Sequence, residues 1–447
     1  MDIKQFISKK GFKLNIAGIL RSIITSLITS ENLHYKKRQY HELKRVILGR
    51  THDVHFFYQA DDPYSHLTSQ ILKGLNQSYD VNIHIHIVDK PKTNIVPMRK
   101  SLEDFSIKDA ALIAPYHNLE FKDSYQIPEQ SDLLIAQKML SGSENKVSDI
   151  FDISKNLWDG NINDLSYKLA SVNEHLKTIE AGNKKRKKMG HYLGAMFYFA
   201  GEWYWGLDRL PYMLERLNKL KLRKKEASLE VKFINNADLR GGDFSNFSVE
   251  FFVSLRSPYS YLVLPEIIGL KNKFNINTII RPVLPMVMRG LPVPREKVMY
   301  ILKDAKREAS RIGISFGKIF DPLGKAIKRG YSLLPYAKKM QRDAEYLFEF
   351  SKLAWSEGKD MKETKNLRTA IENALLDWNE ACDYLDSDEW KPLVEENRKQ
   401  LIQSDLWGVP SFRIIDQKDN ELFKSWGRDR LWLLTHEIKN LAKDLEY

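Results

Sequence analysis

Cysteine is nearly absent from this chain of 447 residues, which contains only Cys382. One cysteine cannot form an intramolecular disulfide, and it excludes a Cys-x-x-Cys redox pair. Because no disulfide framework requires an oxidising compartment, we expect a cytoplasmic protein. Cys382 itself lies in a helical stretch and is predicted to be an inert packing residue.

Several motifs that carry chemistry are also missing. The sequence contains no glycine-rich phosphate loop, no dinucleotide fingerprint and no Gly-x-Ser-x-Gly elbow. His84 and His86 fall on one face of a predicted strand, yet no third ligand is evident, so no metal site is expected.

Charge and hydropathy set further limits. The net charge is +12, but the lysines are spread along the chain and accompany no nucleic-acid-binding motif, so no nucleic-acid partner is expected. The apolar stretch at Ile16–Ile28 is interrupted by Arg21 and is too short to span a bilayer. Its helical spacing predicts a helix packed on its own protein, and contact with a membrane surface is the alternative.

Two strings occur twice, in the same order. "VHFFYQADDPYSHL" (Val54–Leu67) and "VEFFVSLRSPYSYL" (Val249–Leu262) are identical at seven of fourteen positions. Trp-Gly-x-Asp-Arg-Leu occurs at Trp205–Leu210 and again at Trp426–Leu431. Each copy is predicted as strand, helix, strand, helical insertion, strand hairpin and closing helix. This order indicates a tandem duplication.

The repeats suggest a division of the chain into four parts. Residues 1–50 are predicted to be a helical extension, 51–220 a degenerate first repeat, 221–245 a linker, and 246–447 a second repeat with an insertion at about 296–403. The two repeats together could form an internal pseudo-dimer.

The second copy resembles a known family. Ser-Pro-Tyr-Ser after a buried strand, followed by "IIRPVLP", "GVPSF" and "WGRDRL", resembles the 2-hydroxychromene-2-carboxylate isomerases and the kappa-class glutathione transferases. The resemblance implies an α/β fold of tandem thioredoxin-like, DsbA-like units, each with an inserted helical domain.

The resemblance also implies a catalytic role for Ser257. This serine follows the first strand and begins a helix, where unpaired N–H groups and the helix dipole favour an anion. In the family the matching serine stabilises the sulfur anion of glutathione, the implied cofactor. A simple N-cap is the alternative for Ser257. Ser260, one turn later, is a weaker candidate that we expect to be structural.

The remaining site residues come from the family's glutathione contacts. The resemblance implies a cis bond between Val409 and Pro410, with the backbone of Val409 pairing with glutathione like an added strand. It implies that Arg428 and Asp429 hold the γ-glutamyl end, although the family usually has a small or amide side chain at position 428. Arg289 falls near a family lysine that meets the glycine carboxylate.

The first copy departs from this pattern at each site position. Asp62 replaces the serine, and a carboxylate would repel a thiolate. "GAMF" at Gly194–Phe197 replaces Gly-Val-Pro-Ser, so the first copy lacks the proline. A packing or partner role is therefore expected for it.

The function implied is that of a glutathione-dependent isomerase or transferase acting on a small aromatic or electrophilic substrate. One alternative is glutathione-dependent conjugation or reduction of electrophiles. Another is a non-catalytic binding scaffold, which the degenerate copy and Arg428 favour.

Overall fold

The computed structural model describes residues 16–93 and 95–443, which form two compact units. The N unit comprises Tyr35–Asp238 together with Leu291–Tyr300. The C unit comprises Leu239–Gly290, the described residues from Ile301 onward, and the described residues up to His34. The sequence boundaries predicted above for the four segments stay a prediction.

The N unit is built on four strands and the helices that cover them. After the helices α1 (Ile16–Ile28, in the C unit) and α2 (Glu31–Ile47), its elements are β1 (Asp53–Tyr58), α3 (Pro63–Ser78), β2 (Asn82–Ile87), α4 (Arg99–Ile113), α5 (Gln130–Gly142), α6 (Lys146–Trp158), α7 (Val172–Met189), β3 (Met196–Phe199), β4 (Glu202–Trp205) and α8 (Gly206–Lys219).

The C unit repeats this order with a longer set of inserted helices. Its elements are β5 (Phe247–Val253), α9 (Pro258–Phe274), β6 (Asn277–Pro282), α10 (Arg295–Arg311, in this unit from Ile301 onward), α11 (Lys325–Ser332), α12 (Leu334–Lys339), α13 (Asp343–Trp355), α14 (Thr364–Asn373), α15 (Trp378–Ala381), α16 (Trp390–Gln403), β7 (Ser411–Asp416), β8 (Glu421–Trp426) and α17 (Leu431–Lys443).

Both sheets have the same topology. Their strand orders are β2-β1-β3-β4 and β6-β5-β7-β8. In each sheet the first two strands run parallel, the third strand pairs antiparallel with the first, and the fourth pairs antiparallel with the third. The first strand is central, so its aromatic side chains are buried: Phe56 packs on Phe197, and Phe251 stacks on Phe412. The predicted fold of two α/β units with helical insertions is confirmed.

The repeat extends into the inserted helices. The Tyr64 hydroxyl donates to Asp109 at 2.7 Å, and the Tyr259 hydroxyl donates to Asp304 at 2.8 Å. In both units the two partners are 45 residues apart. Each bond ties the first insertion helix to the helix that follows the first strand, which is the equivalence that a duplication requires.

Two other sequence predictions have clear outcomes. A helix forms at Ile16–Ile28, as predicted. Cys382 is exposed in a short 3₁₀ turn, so its prediction as a packing residue was wrong. Among the described residues, no helix is long and apolar enough to cross a membrane.

Candidate functional site

The site in the C unit is centred on Ser257, where strand β5 gives way to helix α9. Ser257 is the N-cap of α9: its Oγ accepts a hydrogen bond from the Ser260 N–H at 3.1 Å. Pro258 follows as the first helical residue, which suits a position without an intrahelical N–H bond. Ser257 is therefore the helix N-cap that the sequence offered as an alternative, and its catalytic role stays a prediction.

Ser257 also meets the loop that precedes strand β7. Its hydroxyl donates to the carbonyl of Val409 at 3.3 Å, and the Val409–Pro410 bond is cis, as the sequence predicted. Ser257 and Val409 are half-buried, whereas Pro258, Gly408 and Pro410 around them are buried. These two residues thus retain some exposed surface within an otherwise buried loop and helix start.

Ser260 behaves differently from Ser257. It is fully buried, and its hydroxyl lies 3.5 Å from the Ser254 N–H. A side chain with no exposed surface cannot meet a ligand without rearrangement, so the contacts favour the expected structural role.

Arg289 lies in a 3₁₀ turn after β6 and reaches the same loop. Its Nη2 donates to the carbonyl of Trp407 at 2.9 Å. Its Nε is buried and has no hydrogen-bond partner among the described residues. Burial lowers the pKa of this guanidinium below its usual value. The side chain is therefore held two residues from Val409 with donor capacity remaining.

Arg428 is engaged by a residue of the insertion. Its Nη1 donates to the Glu308 carboxylate on α10, and both side chains are largely buried. Its Nε has no partner among the described residues. Asp429 follows it in the same 3₁₀ turn and is half-buried. The sequence placed Arg428 and Asp429 at the site but did not identify Glu308.

Arg430 completes the Trp-Gly-x-Asp-Arg-Leu string as a structural residue. It is 2% exposed, and its Nη1 donates to the Asp429 carbonyl at 3.1 Å. Arg209 is equally buried and makes the equivalent bond to the Asp208 carbonyl at 3.4 Å. The arginine is therefore a buried residue with an equivalent contact in both units.

In the N unit, the position equivalent to Ser257 is occupied by Asp62, and neighbouring polar groups already form hydrogen bonds there. Asp62 caps α3, and its Oδ2 accepts from the N–H and the hydroxyl of Ser65. The Ser65 hydroxyl in turn accepts from the backbone N–H groups of Gln59 and Ala195. Because a hydroxyl has one donor and two acceptor sites, Ser65 has no capacity left for a ligand.

The loop that meets Asp62 is shifted by one residue relative to the match of Gly194–Phe197 with Gly408–Ser411 that the sequence suggested. Met196 pairs with Phe57 as Ser411 pairs with Phe252. The Ala195 carbonyl accepts from the Gly206 N–H, as the Pro410 carbonyl accepts from the Gly427 N–H. Ala195, not Met196, therefore occupies the position of the cis-proline.

Asp62 gives a prediction for the pH dependence of stability. Burial raises the pKa of this half-buried carboxyl to about 7, and the Ser65 hydrogen bonds oppose that rise only in part. The folded protein then binds more protons than the unfolded chain between about pH 4 and pH 7, so this group makes stability fall as pH rises. We expect Asp62→Asn to raise the melting temperature relative to the unmodified protein, by an amount that grows from pH 4.5 to pH 7.5.

Thermal melts of both proteins across that range test the prediction. All other carboxyl groups are the same in the two proteins, so their effect on the pH dependence of the melting temperature cancels in the difference. A difference in melting temperature that is constant with pH would contradict it.

The histidines of the N unit cluster more closely than the sequence indicated. His55 on β1 pairs in register with His84, and its Nδ1 lies 3.0 Å from Nε2 of His86. Burial lowers the pKa of His55 to about 4 and of His86 to about 3. Within the described residues, no group of three histidine, cysteine, aspartate or glutamate side chains is arranged to hold a metal ion.

A strand followed by a capped helix, an opposed cis-proline loop and an inserted helical segment defines a thioredoxin-fold domain. Residues 248–439 match the family model of the DSBA-like thioredoxin domain, and this part of the chain is such a domain. No curated protein matches the chain significantly.

Among solved structures, the chain is similar to a 2-hydroxychromene-2-carboxylate isomerase, with 21% identity over 44% of this chain and 97% of that one, and a TM-score of 0.37. It is also similar to the cytosolic disulfide reductase DsbM from Pseudomonas aeruginosa, with 14% identity over 44% of this chain and 98% of that one, and a TM-score of 0.35. A second DsbM structure, with GSH, has 14% identity over 45% and 100%, and a TM-score of 0.33.

Proposed function

We propose that the C unit binds glutathione and stabilises its thiolate at Ser257, as a glutathione-dependent isomerase or transferase. The observation that carries this proposal is the half-buried Ser257 hydroxyl at the start of α9, 3.3 Å from the Val409 carbonyl. This hydroxyl is the polar side chain that the fold presents where a redox relative needs a cysteine.

The residues around Ser257 suit an anionic sulfur. The N-terminus of a seventeen-residue helix favours negative charge through its dipole. The Ser257 hydroxyl bond to Val409 is long, and a hydrogen bond to a charged acceptor is about twice as strong as a neutral one. The hydroxyl would therefore turn from the carbonyl to the sulfur when the anion is present.

The peptide part of glutathione would lie along Val409. With the hydroxyl turned away, the Val409 carbonyl can accept a backbone N–H from an extended ligand, as in strand addition. Arg289 is held beside this loop by its bond to the Trp407 carbonyl, and its guanidinium would place a positive charge there for a ligand carboxylate. It supports the register in which the glycine end of the ligand points toward Arg289.

The γ-glutamyl end would meet Arg428 and Asp429. Arg428 is already paired with Glu308, so a ligand carboxylate would share the guanidinium with that side chain. A guanidinium has five N–H donors, which is enough for both carboxylates. Asp429 would accept from the ligand ammonium group.

Bound glutathione would supply the thiolate nucleophile for addition to a conjugated or otherwise electrophilic substrate. The role of this protein would be to keep that thiolate ionised at neutral pH and to orient it. The same arrangement serves isomerisation and conjugation, since both begin with an ionised and oriented sulfur. The binding-scaffold alternative is supported by the Arg428–Glu308 pair, which already occupies the position of a small side chain.

Glutathione should raise the thermal stability of the protein. Saturation at one hundred times the dissociation constant adds about 2.7 kcal/mol, which is roughly 5–10 °C for a domain of this size. Thermal melts with reduced glutathione measure the effect, and the control ligand is an analogue with a methyl group in place of the thiol. We expect the analogue to give a smaller shift because it offers no anion to Ser257.

The contrary result is equally definite. If millimolar glutathione leaves the melting temperature unchanged, the cofactor assignment is wrong and the scaffold alternative replaces it.

A further inference from the structure

Helix α2 has an unusual orientation in the N unit. None of its seventeen residues is buried. Five large apolar side chains on it are at least 59% exposed: Tyr35, Tyr40, Leu43, Val46 and Ile47. At 100° per residue these five fall within about 140° of the helix circumference, so they share one side of the helix, which also carries Lys36 and Gln39. We call this the α2 apolar face.

The polar side of α2 makes the contacts with the protein. Arg38 forms a bidentate pair with Glu202 at 2.6 and 2.9 Å. His41 lies directly over the hairpin turn at Gly201, where an added Cβ would fall 2.5 Å from its ring. A surface helix normally buries its apolar stripe and exposes its charges. Here the arrangement is reversed, because the charges bind the hairpin and the apolar residues face outward.

Helix α1 shows the same reversal within the C unit. Thr25 and Thr29 donate to the backbone carbonyls of Ile319 and Gly317. Ile23, Ile24 and Leu27 are each more than half exposed. In α1, too, the hydroxyl groups contact the protein and the aliphatic groups face outward. Because two helices share this arrangement, chance is a poor explanation for the exposed apolar side chains.

The charges beside the α2 apolar face indicate what it meets. Lys36 is exposed within the face, Lys37 and Lys44 are exposed on the side of the helix next to it, and Arg50 follows the helix. The whole chain carries a net charge of +12. Each lysine or arginine near an anionic bilayer contributes about 1 kcal/mol, and apolar side chains add to this by entering the acyl boundary. Nucleic acid would satisfy the lysines but would offer nothing to leucine, valine and isoleucine.

We propose that the α2 apolar face docks the protein on an anionic lipid surface, with α2 lying in the plane of the membrane interface. Leu43, Val46 and Ile47 enter the acyl region, and Tyr35 and Tyr40 lie at headgroup level, where amphipathic rings are favoured. Lys36, Lys37 and Lys44 bind lipid phosphate and carboxylate groups. This inference is independent of the glutathione site.

The experiment is co-sedimentation of the full chain with vesicles. Vesicles of phosphatidylcholine mixed with phosphatidylserine should bind the protein, and binding should weaken as salt is raised because lysine–lipid attraction is screened. The variant Leu43→Ser/Ile47→Ser should bind at least about tenfold more weakly. Lys36→Gln/Lys37→Gln should also bind more weakly and should show a smaller salt dependence, since Lys44 and Arg50 remain.

The matched control is Val172→Ser/Leu176→Ser. These two residues on α7 are each 58% exposed and are also four positions apart, so the control removes a similar exposed pair elsewhere in the N unit. It should bind as the unmodified protein does. Circular dichroism melts establish that all variants fold, which is expected because exposed substitutions seldom cost more than about 0.5 kcal/mol.

Three results would overturn the proposal. The first is no binding to the anionic vesicles by the full chain. The second is equal binding to vesicles of phosphatidylcholine alone, or equal loss in the control variant. The third is a dimer in sedimentation velocity without lipid that Leu43→Ser/Ile47→Ser disperses, because the face then meets a second copy of the chain.

Discussion

Replacing Ser257 with alanine should reduce glutathione-dependent turnover by roughly 10²–10³-fold, because removing one donor to developing charge has this effect in known enzymes. The cost in stability should be only about 1 kcal/mol, since the hydroxyl also caps α9 through the Ser260 N–H. Turnover of a chromene carboxylate or a generic electrophile, measured beside thermal melts, separates the two contributions.

Asp62→Ala provides the matched control in the N unit. Asp62 caps α3 in the same way, with its carboxylate accepting from the Ser65 N–H at 3.1 Å. Its loss should leave turnover almost unchanged. If Ser257→Ala keeps full turnover and melts a few degrees lower, the serine is only a helix cap.

Replacing Glu250 with alanine should lower the free energy of unfolding by about 3 kcal/mol or more, since removing one partner of a buried ion pair leaves the other partner, Arg281, without its carboxylate. Glu250 lies on the central strand β5 and is 2% exposed. Its carboxylate accepts from Nε of Arg281 at 2.9 Å, and its second oxygen lies 3.4 Å from Arg413. Urea unfolding followed by circular dichroism measures the change.

Glu421→Ala tests whether burial causes that loss. Glu421 also pairs with Arg413, at 3.1 Å, but it lies in the more exposed strand β8. A solvent-exposed pair contributes about 0–1 kcal/mol, so this variant should unfold close to the unmodified protein. Equal losses in the two variants would contradict the role given to burial.

The local features of the site were predictable because each depends on a short stretch of sequence. A buried strand followed by Ser-Pro is a strand end and a capped helix, and Ser257 and Asp62 both prove to be N-caps. Val409–Pro410 is cis, as the family resemblance implied. The two sheets followed from the alternating strands and the repeated strings.

The contacts made over long sequence distances were not predictable. Glu308 lies 120 residues before Arg428, in a helix whose many charged side chains look alike in the sequence. Arg289 reaches Trp407 across 118 residues. The helical pattern of α2 likewise did not reveal its orientation, because an amphipathic helix has the same sequence whichever side it turns to the protein.

The hydrogen bond shared by Tyr64–Asp109 and Tyr259–Asp304 orders the events in the history of this chain. Both pairs span the same 45 residues, so the ancestral single copy already carried its first insertion helix when it doubled. The stretch from Asp304 to Trp426 is longer than that from Asp109 to Trp205, so the two copies diverged in length only beyond that bond. The tyrosine–aspartate pair is therefore inherited in common by both copies, whereas Ser257 and Asp62 mark a position at which the copies have since diverged.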